Sequence, residues 1–230
     1  MYDFQKDLEA WERYAIRAHS RRFVKQDFYV GSQSLVETKG HQLIAAADCD
    51  RSRILEIGTG GGEHIAFERP DALENYFAAD IKPQFLSLVK QQFPRVTTVL
   101  LDGTSLPFED GFFTTCIASA VLEHVSALDA TLIEIDRVLA PNGSLLVVVP
   151  TNGSLCINLF KLLVTYPTLR ANGIARPSYI WHFENVNSMA RIRALLWKNF
   201  DITTHQSVPL RFLPAALSPL YFFHCRKRAN

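Results

Sequence analysis

The feature that most constrains this chain is the segment Ile54-Leu55-Glu56-Ile57-Gly58-Thr59-Gly60-Gly61-Gly62. A short apolar run that ends in glycines reads as a buried strand entering a tight turn. Glycines let a ligand approach the backbone, and a helix following the turn would offer it free N–H groups. That helix is expected to begin near Gly62. Further strands are read at 75–80, 96–101, 113–119 and 144–149. Pro83 opens a helix after the second strand, and a helix over 127–139 is read to stop at Pro141-Asn142-Gly143.

Strands alternating with helices imply a doubly wound, mostly parallel α/β sheet of the Rossmann-like kind. Right-handed crossovers then gather the strand C-termini along one edge, where ligands bind. Around this core (51–150), residues 1–50 read as a helical cap: Phe4, Leu8, Trp11, Ala15 and Ala18 share one face, and a second helix covers 32–47. Arg17, Arg21, Arg22 and Lys25 form a basic cluster, either a solvated face or a lid meeting an anionic substrate. Residues 151–184 read as a lid insertion with a helical piece over 155–164. Residues 185–230 read as a helix over 185–198 and a strand pair at 200–205 and 221–225. The whole is expected to be one domain.

At 230 residues the chain can bury a large core, and its formal net charge of +1 gives no global field toward nucleic acid or an anionic membrane. Cys49, Cys116, Cys156 and Cys225 are scattered, without disulfide or zinc spacing, which suits a reducing cytoplasm and predicts no metal site. The charged start of the chain lacks the apolar stretch of a signal peptide. The most apolar stretch, 209–223, is broken by Arg211 and three prolines and is too short to span a bilayer as a helix. Packing inside the fold is expected for it, with a surface dip into lipid as the alternative.

What the turn binds follows from charge. The dinucleotide pattern G-x-G-x-x-G fails, because Glu63 or Ile65 falls at its last position, and no P-loop lysine is present. Glu56 would repel a pyrophosphate but suits a cofactor bearing an ammonium and a sulfonium. S-adenosyl-L-methionine has both and no phosphate. Asp80, ending the second strand, is placed to accept the ribose hydroxyls, and Asp102, ending the third, the adenine amino group. Ile81 and Leu106 are expected to sandwich the purine.

These segments resemble those of class I S-adenosylmethionine-dependent methyltransferases of the methyltransferase type 11 group. Residues 54–62 resemble motif I, and Ala79-Asp80-Ile81 the acidic ribose motif. The run Asp102-Gly103-Thr104-Ser105-Leu106-Pro107 resembles the adenine-binding segment. Ser119-Ala120-Val121-Leu122-Glu123-His124-Val125 resembles the strand-four exit lining the methionine end, and 135–145 the entry to strand five. The resemblance covers about 51–150 and implies a seven-stranded sheet with an antiparallel last strand. It also implies cofactor contacts from Glu56, Gly58, Thr59, Gly60, Gly62, Asp80, Ile81, Asp102, Gly103, Thr104, Ser119 and His124. Thr114 departs from the usual Asp, at a site away from the cofactor.

Methyl transfer needs alignment, and a base where the nucleophile carries a proton. His124 and His182 are the candidate bases. Alternatively, His124 packs beside the adenosyl group, while His182 pins a loop and Glu184 or Asn185 starts the next helix. The flanking segments carry aromatics (among them Trp11, Phe23, Phe28, Tyr29, Phe160 and Trp181) and arginines (Arg22, Arg170, Arg176). They suit an apolar small molecule or a glycan- or lipid-linked acceptor better than nucleic acid. The competing readings are a methyltransferase-like scaffold with minor catalysis and, more distantly, an NAD-dependent oxidoreductase.

Overall fold

The computed structural model describes residues 2–24 and 32–229. Seven strands form one sheet in the order β3-β2-β1-β4-β5-β7-β6. They are β1 (Ile54–Ile57), β2 (Tyr76–Asp80), β3 (Thr97–Leu100), β4 (Phe113–Ser119), β5 (Leu139–Pro150), β6 (Phe200–Val208) and β7 (Leu220–Lys227). Strands β1 to β5 pair in parallel. Strand β7 runs antiparallel to both β5 and β6. Chain order reverses at β1, so the gap between β1 and β4 is the topological switch point, where ligands bind at the carboxyl ends of the strands.

Side-chain alternation builds two cores, one on each face of the sheet. Leu55, Ile57, Cys116 and Leu145 face α4 (Leu128–Val138) and α8 (Met189–Asn199), meeting Leu132, Ile135, Ile192 and Leu196. Ile54, Ile117, Leu146 and Val148 belong to the other core, with Ile44 of α2 (Ser32–Ala45) and Val89 of α3 (Pro83–Gln92). A third, smaller cluster joins the cap to the lid: Ala10 of α1 (Phe4–Val24) with Leu169, Ile174 and Ile180. The apolar stripe read on α1 therefore packs on the insertion that follows β5.

The lid runs through α5 (Leu155–Phe160), a π-helical turn (Lys161–Thr165), α6 (Tyr166–Ala171) and α7 (Pro177–Glu184). Buried Asp7 ties cap to lid by accepting the N–H groups of Ala175 and Arg176, each at 2.8 Å, and the Tyr2 hydroxyl.

Four expectations change. No α-helix follows the glycine turn; before β2 the chain makes turns and two 3-10 turns, at Ile65–Phe67 and Ala72–Asn75. Pro70 lies too few residues beyond Gly62 for a helix to establish itself. Pro141-Asn142-Gly143 lies inside β5, where the β4–β5 register shifts and Asn142 takes φ 61°. The 185–198 helix starts instead at Met189, capped by the Ser188 hydroxyl on the Arg191 N–H, and 177–184 is a separate helix. Within 209–223, Leu210, Phe212 and Leu217 are exposed, while Leu220, Phe222 and Phe223 are buried in the sheet. Loop and strand thus divide the stretch expected to pack inside.

Candidate active site

The glycine turn lies at the carboxyl end of β1. Gly58, Gly60 and Gly62 all take positive φ, at 68°, 54° and 87°. A Cβ on Gly58 would overlap the Val121 side chain, so position 58 needs glycine for space as well as for backbone angle. The turn is fastened from beneath. The Thr59 N–H donates to Ala79 O at 3.0 Å, and the Gly60 N–H to Asp80 Oδ2 at 3.0 Å. Asp80 Oδ1 accepts the Lys82 N–H at 2.9 Å, so the carboxylate ending β2 is held by backbone on both oxygens. Each oxygen has a second lone pair, so the carboxylate can still accept ribose hydroxyls.

Glu56 sits below the turn. It is 2% exposed, and its Oε2 accepts both the Thr59 and Tyr76 hydroxyls at 2.8 Å. Burial pushes its carboxyl up to about 7, opposed by His64 and these two hydrogen bonds. Its placement suits a brace under the glycine turn, with the Thr59 hydroxyl turned inward to it.

Beyond β2 and β3, Ile81, Leu100, Leu101, Asp102, Ser105 and Pro107 line an open groove of about 450 Å³. Ile81 is 64% exposed there, as the adenine reading needs. Leu106 is not part of it. Its side chain is buried in the core, its N–H bonds Glu134 Oε2, and its carbonyl accepts from Arg137. Leu100, Leu101 and Pro107 supply the apolar surface instead. Asp102 stands exposed at the groove, its Oδ1 accepting the Thr104 N–H and hydroxyl at 2.9 and 2.7 Å. Those bonds hold its carboxyl below the usual range, so it is ionised at neutral pH. Arg137 clamps this segment to α4, reaching the carbonyls of Leu106 and Phe108 and the carboxylates of Asp110 and Glu134. Its hydrogen bonds pull Glu134 to about 2.

The exit of β4 lies beside the glycine turn, with Val121 against Gly58. Ser119 is half-buried, and Ala120 is a non-glycine residue at φ 52°, tied by its N–H to Val148 O. His124 is exposed, with Nδ1 2.6 Å from the Glu184 carbonyl of the lid. A carbonyl only accepts, so Nδ1 donates, and the neutral ring keeps its lone pair on Nε2. That nitrogen lies 3.7 Å from Glu123 Oε1. Glu123 is buried, its other oxygen has no partner, and burial raises its pKa. Asn187, also buried, donates to the carbonyls of Leu122 and Val125 and holds the loop in place.

His182 lies apart from this arrangement in its bonding. It is exposed on α7, and its Nδ1 bonds back to the Ser178 carbonyl one turn earlier. It therefore belongs to a helix surface, not a loop, and α8 starts at Met189 rather than at Glu184 or Asn185. The side chains of Arg21, Arg22, Phe23, Lys25, Phe28 and Tyr29 lie outside the described residues. Among the described residues no group of three or more His, Cys, Asp or Glu is placed to hold a metal, and all four cysteines are free.

Glu123, Glu134, Arg137 and Asn187 were not singled out from sequence. Arg137 and Glu134 follow the adenine segment by about 30 residues on a helix, and nothing local marks them as its clamp. Glu123 and His124 stand side by side in sequence, yet only the fold shows one buried and the other exposed.

The doubly wound sheet with antiparallel β7 and a glycine turn after β1 is a Rossmann-like fold that solved S-adenosylmethionine-dependent methyltransferases share. Residues 55–147, less than half of the chain, match the family described as a methyltransferase domain. It is 32% identical over 115 residues to the highly reducing polyketide synthase verA of Penicillium polonicum. That match takes in 45% of this chain and only 4% of the relative, so the chain spans a small part of that protein's length. Among solved structures, the CurJ carbon methyltransferase superposes with TM-score 0.54 at 22% identity, over 77% of this chain and 48% of its own. An S-adenosylmethionine-dependent methyltransferase of Thermotoga maritima superposes with TM-score 0.64 at 16% identity, over 96% and 99%.

Proposed function

We propose that this chain binds S-adenosyl-L-methionine along the carboxyl edge of β1–β4 and transfers its methyl group to a small-molecule acceptor. The observation that carries the reading is the groove of Ile81, Leu100 and Asp102 next to the Asp80-fastened glycine turn. An apolar wall with an ionised acid fits a purine and its amino group. A second acid at the turn fits ribose, and among the described residues no cationic side chain lines the groove to call for a phosphate. When bound, the cofactor supplies an electrophilic methyl on a sulfonium. The residues of this chain orient it and the acceptor.

In this reading Asp80 holds the ribose, Asp102 and Ile81 the adenine, and Gly58, Gly60, Gly62, Gly103, Thr104 and Ser119 shape the cradle. Glu56 and Thr59 brace the turn from below. His124 is the candidate base: its free Nε2 takes the acceptor's proton, and the neighbouring Glu123 carboxylate stabilises the resulting imidazolium. His182, on the outer helix surface, is the weaker candidate. The likeness to polyketide synthases and to a carbon methyltransferase puts acyl-chain acceptors first in a screen, ahead of glycan- or lipid-linked ones.

Thermal shift with S-adenosylmethionine, S-adenosylhomocysteine and NADH tests this. A sulfur ligand at a hundred times its Kd stabilises by about 2.7 kcal/mol. A shift with the sulfur ligands and none with NADH supports the reading. No shift with either sulfur ligand sinks it. A shift without methyl transfer to any acceptor in a labelled-methyl screen points to the scaffold.

A further inference from the structure

Charge is divided sharply along the chain. Residues 1–136 carry 13 Lys and Arg against 21 Asp and Glu, whereas residues 137–230 carry 11 against only two, Glu184 and Asp201. The near-zero total hides an acidic front and a basic back. From 138 to 183, and again from 202 onward, no acid occurs at all.

Two pieces of this basic half meet at the carboxyl edge. The lid leaves β5 at Pro150, and the loop 209–219 joins β6 to β7 beside it, since Pro150 pairs with Leu220 and Leu220 with Val208. The Thr151 N–H donates to Pro219 O at 3.0 Å, and the Thr151 hydroxyl to Ser218 O, so lid and loop are fastened together. Both expose apolar side chains. On the lid these are Leu155, Leu159, Leu162 and Leu163, between 53% and 67% exposed. Their spacing of three and four residues keeps them on one helical face. On the loop they are Phe212, 75% exposed, and Leu217, 47% exposed. Arg211 stands exposed beside Phe212, whereas Lys161, within the leucine run, is buried with its Nζ 4.3 Å from the Trp181 ring centroid.

We infer that this face seats on an anionic lipid bilayer, independently of whether the methyl-transfer reading holds. Exposed helical leucines beside an exposed cation are the pattern of an interfacial segment, whose apolar side enters the headgroup region while the Arg211 guanidinium meets anionic lipid. A second copy of the chain would bring together two segments that expose Arg211 and carry no acid, which like-charge repulsion opposes. A bilayer asks for apolar depth and diffuse negative charge; the exposed leucines and Phe212 meet the first and Arg211 the second. Docking there would turn the carboxyl edge, along which the cofactor is proposed to bind, toward the lipid.

The test is co-sedimentation of the full chain with phosphatidylcholine vesicles, with and without phosphatidylglycerol. Binding is expected only to the anionic vesicles and should weaken as salt rises. Leu159→Asp with Leu163→Asp, and separately Phe212→Asp, should each lower the partition by about tenfold or more. Their circular dichroism should stay that of the wild type. As a check that needs no disruptive change, Phe212→Trp should gain a fluorescence component that brominated lipid quenches. Absence of binding to anionic vesicles overturns the proposal, as does binding that the Asp variants leave unchanged. Self-association abolished by Leu159→Asp, without vesicle binding, assigns the face to a second copy and also overturns it.

Discussion

Replacing Glu56 by Gln should alter how stability depends on pH. In the folded protein the Glu56 carboxyl titrates at about 7, against 4.5 in an exposed reference, chiefly because burial disfavours its charge. A raised carboxyl pKa means the folded state holds the proton longer. Its stabilising contribution is full below about pH 4.5, is lost as pH climbs toward 7, and is level above that. The interval from 4.5 to about 7 corresponds to roughly 3 kcal/mol at 1.36 kcal/mol per pKa unit. Gln keeps an oxygen for the Thr59 and Tyr76 hydroxyls and has no charge to bury. The stability of Glu56→Gln relative to wild type should therefore rise by about 2–3 kcal/mol between about pH 5 and pH 8. Urea unfolding followed by tryptophan fluorescence at several pH values reads this directly, and all shared titrations cancel in the difference. Parallel curves across that range would refute the buried-carboxyl reasoning. Because Glu56 braces the turn from below, cofactor affinity in the variant should change by less than about tenfold. A larger loss would return Glu56 to direct contact with the methionine ammonium.

Two other changes probe the frame of the site. Ala120 holds φ 52° without being glycine, so Ala120→Gly should relieve strain and raise stability by about 1 kcal/mol in denaturant titration. Asp7→Ala leaves the Ala175 and Arg176 N–H groups without their acceptor. It should cost roughly 1–3 kcal/mol and open the 171–176 turn to limited proteolysis at rates well above wild type. An unchanged cleavage rate would show that the cap does not hold the lid.

The strands were legible because buried parallel strands are nearly pure apolar runs punctuated by turns. Strand β4 appears at 113–119 in sequence and structure alike. The antiparallel last strand came from the family resemblance. The region after the glycine turn misled, because its glycines imply a helix N-terminus while Pro70 cuts the segment short. Pro141-Asn142-Gly143 carries a real turn signal, but a bulge inside a strand uses the same residue types as a helix stop. Within the site, the acids at strand ends were readable from position alone. The choice between Leu106 and its neighbours was not. Alternate residues of an irregular segment point to core or groove according to anchors such as Glu134 and Arg137, about 30 positions away. The split of charge between the two halves was written in the sequence, but the net charge conceals it.

The central claim is that S-adenosylmethionine binds at the carboxyl edge with Asp80 as its ribose acid. Titration calorimetry with S-adenosylhomocysteine on wild type, Asp80→Ala and Thr114→Ala tests it most directly. Thr114 lies at the opposite edge, its hydroxyl donating to the Asp50 and Arg53 carbonyls, so its loss should spare the site. One-to-one binding by wild type and Thr114→Ala is expected, with affinity lower by about tenfold or more in Asp80→Ala. Absence of binding by wild type, or equal affinity in all three proteins, would contradict the account.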